Sequence, residues 1–437
     1  MRSATRAAVS RGNVAAYPLT VPNELPASTH TVVIGAGHAG LLMSRLLRNA
    51  GRDHVVLERR ATLGGGWQDR WDAFRLVSPN FATSLPDFPY EGPDPDAYMP
   101  RDEIAARTAR YAEVIDAPVA LETEVQRVSQ VGPNGGFLVE TSRGSVRTRE
   151  VVGATGAFHT PKIPATAAFG PRIHQVHAHE YRNAEGLPEG GVLVVGTGQT
   201  GVQLAEELRD AGRKVTLSVG HCGRAARRYR DRDWFWWVIE LVRKGPAVGV
   251  ELPTVGSLPD PRQRFACNPH MSGHRGGHDT DLRRFAAEGM RLVGRFLSAE
   301  GERARFADDL EANLTFADGF FDARIRPLFE KYVEAAGLDL PPDDREPFDH
   351  TVPEVTELDL AAEGISTVVW TTGYAPDYGW LDVPVEREFG VPKHVRGITD
   401  VPGLTFIGML FQLDNGSANL TGVARDAEYL ASRWEGV

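Results

Sequence analysis

The chain has 437 residues, 42% of them hydrophobic and 24% charged, which is enough for two or three packed cores and excludes a disordered chain. A formal net charge of −10 offers no basic face to a nucleic acid. With only Cys222 and Cys267 as cysteines, a disulfide framework is excluded and a reducing cytoplasm fits. The longest strongly apolar stretch, WFWWVIELV at 234–242, is too short to span a bilayer and contains Glu240, so no integral membrane association is expected.

Residues 1–27 carry three arginines, no acid before Glu24 and no apolar h-region, and are expected to form a disordered extension rather than a secretory signal. The first organised phrase is TVVIGAGHAG at 31–40: a β-branched run, a GxGxxG turn and a helix start. Gly35 permits the tight turn, Gly37 lets backbone approach a pyrophosphate, and Gly40 allows close packing of helix on strand. The helix that follows stops at Gly51. Glu58 follows Gly35 by 23 residues, where a carboxylate accepts hydrogen bonds from an adenosine ribose and repels a 2′-phosphate. This first site therefore suits FAD or NAD.

A β-rich segment over 119–152, with a turn at Gly135 and Gly136, leads into the phrase REVVGATGAFHTPKIP. Then the opening phrase returns as VLVVGTGQTG at 192–201. Gly196, Gly198 and Gly201 repeat the three glycine roles, and Gln199 and Thr200 open the helix beside the same phosphate position. Ser218 stands 22 residues after Gly196 with no acid near it, and Arg224, Arg227 and Arg228 follow. A hydroxyl and guanidinium forks suit a 2′-phosphate, which points to NADPH; the other reading is a solvated basic loop. Trp234, Phe235, Trp236 and Trp237 either line a substrate channel or pack one amphipathic helix. In CNPHMSGHRGGH, Cys267, His270, His274 and His278 are spaced as zinc ligands can be, but the Gly- and Pro-rich setting argues against a metal, and none is expected.

The phrase STVVWTTGYAPDYGWL closes the second half as ATG closed the first. Gly35 to Gly156 spans 121 residues and Gly196 to Gly373 spans 177, so the second half is a longer version of one unit. The expected fold class is α/β with two Rossmann-like dinucleotide-binding domains, one for FAD and one for NADPH, the second inserted into the first. The expected bounds are 28–164 for the first part of the FAD domain, 165–375 for the NADPH domain with an insertion around 220–295, and 376–437 for the C-terminal return. Hydride would pass from NADPH to a flavin and onward. Cys222 and Cys267 are 45 residues apart with no CxxC pair, so a disulfide reductase lacks its machinery.

The chain resembles the class B flavin-dependent monooxygenases, the flavin-containing and Baeyer–Villiger enzymes, and especially their CzcO-like branch. The resemblance spans about 28–432 and is carried by GAGHAG, LGGGW at 63–67, WDAFRLVSPN at 71–80, both ATG-like phrases, GTGQTG, RRYRDRD at 227–233, the GGHDT stretch from 276 and SANLTGVARDAEYL at 417–430. It implies FAD reduced by NADPH and reacting with O2 to a C4a-hydroperoxyflavin that oxygenates nitrogen, sulfur or a carbonyl carbon of a small organic substrate. It further implies that Gly65 lets the chain pass close to the cofactor, that Trp67 offers a flat face, and that Asn80 is a catalytic residue whose amide lies beside the flavin and hydrogen-bonds the peroxide or the retained nicotinamide. A final helix starting near Ser417 would face the flavin pyrimidine with its N-terminus. In the fingerprint FxGxxxHxxx(F/Y/W) the chain keeps His177 and Tyr181 but has Pro171 and Ile173 at the Phe and Gly positions. His177 either couples NADPH binding to flavin chemistry or is a hydrogen-bonded linker histidine. Rival functions are a flavin NADPH oxidase or reductase, and a nucleotide-sensing flavoprotein without turnover. A homodimer is compatible with this reading.

Overall fold

The computed structural model describes residues 24–132 and 135–434; the extension expected over 1–27 lies outside the described residues as far as position 23. β1 (Ser28–Ile34) is rich in β-branched residues and fully buried from Val32 onward, as a parallel strand covered on both faces must be. α1 (His38–Asn49) buries Leu41, Leu42, Met43 and Leu47 on one stripe and leads through Gly51 to β2 (His54–Leu57). α2 (Arg101–Val114) carries Asp102 and Glu103 in its first turn, where acids complement the helix dipole. β3 (Val119–Ala120), β4 (Val125–Gln130), β5 (Phe137–Thr141) and β6 (Gly144–Gly153) follow. β1, β2, β3 and β6 pair in parallel, while β4, β5 and β6 form an antiparallel meander on the same eight-stranded sheet. The last two strands of this sheet, Leu381–Asp382 and Leu404–Phe406, come from the end of the chain.

Between those segments lies a second sheet. β7 (Thr160–Pro161) and β8 (Ala167–Phe169) precede β9 (His174–His177), β10 (Gly191–Val195), α3 (Gln199–Asp210) and β11 (Val215–Ser218). The sheet runs, all parallel, as Arg291–Val293, β11, β10, Ile365–Trp370 and β9. A further sheet joins β8 to Phe296–Gly301, Arg303–Phe306 and Glu357–Asp359, the second half's version of the β4–β6 meander.

The two halves match atom for atom at their turns. Gly35 N–H donates to the Leu57 carbonyl at 2.8 Å and Gly196 N–H to the Ser218 carbonyl at 3.0 Å. A Cβ on Gly40 would overlap the Gly35 carbonyl, and one on Gly201 the Gly196 carbonyl. A Cβ on Gly35 would lie 2.6 Å from the Ala154 carbonyl of the first ATG phrase, and one on Gly196 2.9 Å from the Thr371 carbonyl of the second. The two crossings between the halves also pair with each other, Tyr374–Ala375 lying antiparallel to β7. One core joins both halves, with α1 side chains such as Leu41 and α3 side chains such as Leu204 in the same cluster.

The added material of the second half extends past the expected 220–295. α4 (Trp234–Lys244) packs on Phe321 and on the helix Arg326–Ala336, with Trp237 stacked on Phe329 at 4.8 Å and 11°.

Candidate functional site

The first glycine turn is framed by three segments. The LGGGW turn presses on it, since a Cβ on Gly65 would lie 3.1 Å from the Gly37 Cα. Trp67 faces the His38 ring at 6.3 Å and 29°, and the backbone of Ala418 bonds His38 from the C-terminal segment. Burial lowers the His38 pKa to about 4, so its ring is neutral at pH 7. Glu58 directly follows β2 and is buried, its Oε2 accepting the Ala36 N–H at 2.9 Å and its Oε1 the Arg60 N–H at 3.0 Å.

Two observations fit a flavin dinucleotide here. Nothing lies within 4 Å of the point where a Cβ on Gly37 would stand, so the backbone N–H groups at the start of α1 are open to a phosphate. Asn80 is 5% exposed, its Nδ2 donates to Asp94 O at 2.8 Å and Tyr90 Oη at 3.1 Å, and its Oδ1 is buried without a partner. A buried acceptor left unpaired costs about 1 to 3 kcal/mol, a cost that a bound donor removes.

Ser417 does not start the last helix. That helix runs Val423–Ala431, and Ser417 Oγ is fully buried in the preceding turn, accepting Leu413 N–H at 2.9 Å and Asp414 N–H at 3.2 Å. The Asn-Gly-Ser sequence favours a turn over a helical cap further on, and the hydroxyl serves that turn instead of a cofactor. Phe81, Ala82, Val238, Ile239, Val242 and Leu252 form the apolar wall of a pocket whose other lining includes Ser84, Arg243, Asp414 and Arg425. The aromatic run at 234–237 is therefore chiefly packing, and the next turn of α4 faces the pocket.

The second glycine turn is open in the same way, with only the Cys267 Cβ, at 3.7 Å, near the point where a Cβ on Gly198 would stand. Around it several expected roles change. Leu57 and Ser218 are the equivalent residues, so the counterpart of Glu58 is the buried Val219. Ser218 Oγ instead donates to Gly294 O at 2.9 Å and accepts Phe296 N–H at 3.0 Å, which leaves it no group for a ribose phosphate. Arg227 is 1% exposed and its guanidinium donates to both Asp233 oxygens and, at 2.7 Å, to Val77 O. Asp233 also caps α4 by accepting Phe235 N–H at 2.8 Å, so Arg227 is a structural partner of a helix cap and no phosphate ligand. Arg224 is held by Asp281 and Asp318. Arg228 stays exposed, with its donors on the Gly276 and Gly277 carbonyls. The Gln199 side chain is turned to the backbone of Met271, donating at 2.6 Å and accepting at 3.1 Å, while Thr200 is half-buried beside it.

His177 at the end of β9 is buried with both ring nitrogens engaged: Nε2–H donates to Gly373 O at 3.1 Å and Nδ1 accepts His179 N–H at 3.1 Å. Burial lowers its pKa, and the neutral ring braces the linker against the second ATG-like turn. A direct catalytic part for His177 is excluded because neither nitrogen is free. Tyr181 completes the brace by donating to Glu207 Oε1 at 3.0 Å.

Cys267, His270, His274 and His278 do not converge. His270 Nδ1 contacts Thr280 Oγ1, His278 Nε2 lies 2.7 Å from Glu206, and among the described residues no three His, Cys, Asp or Glu side chains gather as metal ligands. The two cysteines do meet: Cys222 Sγ donates to Asn268 O at 3.4 Å and Cys267 Sγ to His221 O at 3.7 Å, so each thiol reaches the backbone beside the other cysteine, next to Gly198. Sequence separation gave no signal of that contact. Among the described residues no helix is long and apolar enough to cross a membrane.

Residues 32–236 match the pyridine nucleotide-disulphide oxidoreductase family model. The chain is 30% identical over 402 residues to a CzcO-like oxidoreductase of Geobacillus kaustophilus, covering 91% of this chain and 96% of that one. It is 28% identical to the CzcO oxidoreductase of Bacillus subtilis over 93% of this chain and 99% of that one. In fold it is similar to a flavin-containing monooxygenase from Stenotrophomonas maltophilia, with a TM-score of 0.64 at 21% identity over 93% of this chain and 98% of that one. The chain belongs to the CzcO-like oxidoreductases.

Proposed function

We propose that the protein is an FAD-dependent, NADPH-consuming monooxygenase that inserts one atom of O2 into a small organic substrate. The observation that carries this reading is the pair of equivalent glycine turns, each open at its second glycine, together with the buried, unpartnered Asn80 Oδ1. On this reading residues 28–164 and 376–434 hold the flavin and residues 165–375 hold the nicotinamide nucleotide.

The bound flavin supplies the two-electron chemistry that activates O2; the chain supplies position and dryness. Open N–H groups at Gly37 and the α1 start hold the pyrophosphate, and Glu58 accepts from the adenosine ribose. The amide of Asn80 is held by Asp94 and Tyr90 and presents its oxygen to a donor on the flavin side. The apolar wall of Phe81, Val238 and Ile239 admits an apolar substrate and excludes water, which a reactive oxygen adduct requires. At the second loop, Val219 in place of an acid leaves no carboxylate to repel a 2′-phosphate, which supports NADPH over NADH. Two free thiols fit a reducing cytoplasm.

The test is turnover with NADPH and 18O-labelled O2 on panels of amines, sulfides and ketones. The reading expects a product carrying one labelled oxygen atom; NADPH oxidation that yields only hydrogen peroxide across every panel speaks for the oxidase instead.

A further inference from the structure

The two cysteines are brought together by the fold, and the place where they meet is the second dinucleotide turn. Segments 221–225 and 267–270 run side by side in parallel: Ala225 N–H donates to His270 O at 3.1 Å and His270 N–H to Gly223 O at 2.9 Å. Across this pairing the Cys222 thiol reaches Asn268 O at 3.4 Å and the Cys267 thiol reaches His221 O at 3.7 Å. Cys222 is buried and Cys267 is exposed. From Cys267 the chain runs to Met271, whose backbone N–H and C=O are both held by Gln199 at the start of α3. The thiol pair and the phosphate-facing turn are thus tied to one short stretch of backbone.

We propose that Cys222 and Cys267 form a reversible dithiol–disulfide couple whose oxidation weakens nucleotide binding at the second glycine turn. Cys267 is the sulfur that an oxidant reaches from solvent, and the interaction between the neighbouring thiols lowers its pKa and raises that of buried Cys222, which makes the exposed sulfur the attacking thiolate and the buried one the resolving thiol. With hydrogen peroxide as oxidant, the Cys267 thiolate attacks one peroxide oxygen, the O–O bond breaks, and hydroxide leaves to become water, giving a sulfenic acid. The Cys222 sulfur then attacks the Cys267 sulfur; the S–S bond forms, the S–O bond breaks, and hydroxide leaves with the Cys222 proton as a second water. Two thiols and one peroxide yield one disulfide and two waters, and an added dithiol reverses the exchange. Closing the sulfurs to the bonded separation of about 2.05 Å draws the 267–271 stretch toward Cys222 and pulls on Gln199. The effect on affinity rests on the second turn holding a pyridine nucleotide; formation of the disulfide does not.

The full chain, reduced, desalted and treated with stoichiometric hydrogen peroxide, is digested with trypsin and weighed. The expected product is peptide 215–224 joined to peptide 265–275, lost on adding dithiothreitol and absent in Cys267→Ser and Cys222→Ala. Sulfinic acid at Cys267 without the cross-link overturns the couple. Titration with NADPH should show affinity falling about fivefold or more on oxidation, at the lower end of coupling between sites, and recovering with dithiothreitol. Unchanged affinity in the cross-linked protein overturns the coupling. If the reduced protein binds neither NADPH nor NADH while the cross-link forms, the nucleotide reading fails and the couple stands.

Discussion

Glu58 and Ala36 face each other across the first glycine turn, the Ala36 N–H donating to Glu58 Oε2 at 2.9 Å. The same carboxylate therefore fixes the turn and keeps lone pairs for ribose hydroxyls. Hydrogen bonds to charged groups contribute about 1.5 to 3 kcal/mol, so Glu58→Gln is expected to lower flavin affinity roughly 10- to 100-fold. The flavin-to-protein absorbance ratio after gel filtration reads this directly, and full retention by the variant contradicts the assignment.

Gly37 and Gly198 separate binding from folding. Their backbones, at φ −73 with ψ 175 and φ −65 with ψ 176, are conformations any residue adopts, and a Cβ at either meets open space or one ordinary contact. Gly37→Ala should leave the melting temperature of the flavin-free protein unchanged while weakening FAD binding, and Gly198→Ala should do the same for NADPH alone. Crossed effects, or unfolding in either variant, would count against two separate dinucleotide turns.

Arg227→Ala should act on stability and leave specificity alone. Removing the guanidinium strands the Asp233 carboxylate in a site where Arg227 is 1% exposed, a loss of about 3 to 5 kcal/mol for a broken buried pair. Denaturant unfolding measures that loss. The ratio of NADPH to NADH affinities in the folded variant should stay at the parent value, and a shift toward NADH would restore the phosphate role to Arg227.

Glu207 gives a pH signature. Burial raises its pKa from 4.5 to about 7, against the opposing hydrogen bond of Tyr181. Between those two values the folded state keeps the proton that the unfolded state has released, so stability falls as pH rises from about 4.5 to 7 and this contribution is constant above. Glu207→Gln should remove that slope. Melting curves from pH 5 to 8 that decline equally in both proteins would show that Glu207 is not its source.

Both glycine turns, the repeat and the return of the chain to the first sheet were legible in sequence because each is written in local spacing: GxGxxG after a β-branched run, then an ATG-like phrase. What was illegible depended on partners distant in sequence or on a one-residue register. The 22-residue spacing selects Ser218 as a hydroxyl for a 2′-phosphate, but strand pairing makes Val219 the match for Glu58. Arg227 carries the same charge whether it meets a phosphate or Asp233, and only the hairpin between them decides. Ser417 precedes a helix by six residues because further turns, Asn419 N–H to Gly416 O and Gly422 N–H to Asn419 O, intervene. Cys222 and Cys267 became neighbours through the parallel pairing of two irregular segments, which no periodicity announces.

The central claim is met most directly by stopped-flow absorbance. The purified yellow protein is reduced anaerobically with NADPH and mixed with oxygenated buffer. The account predicts that NADPH bleaches the flavin, and that a transient near-ultraviolet band, distinct from reduced and oxidised flavin, precedes return of the oxidised spectrum. Direct reoxidation with no such band, or no bleaching by NADPH, would contradict it.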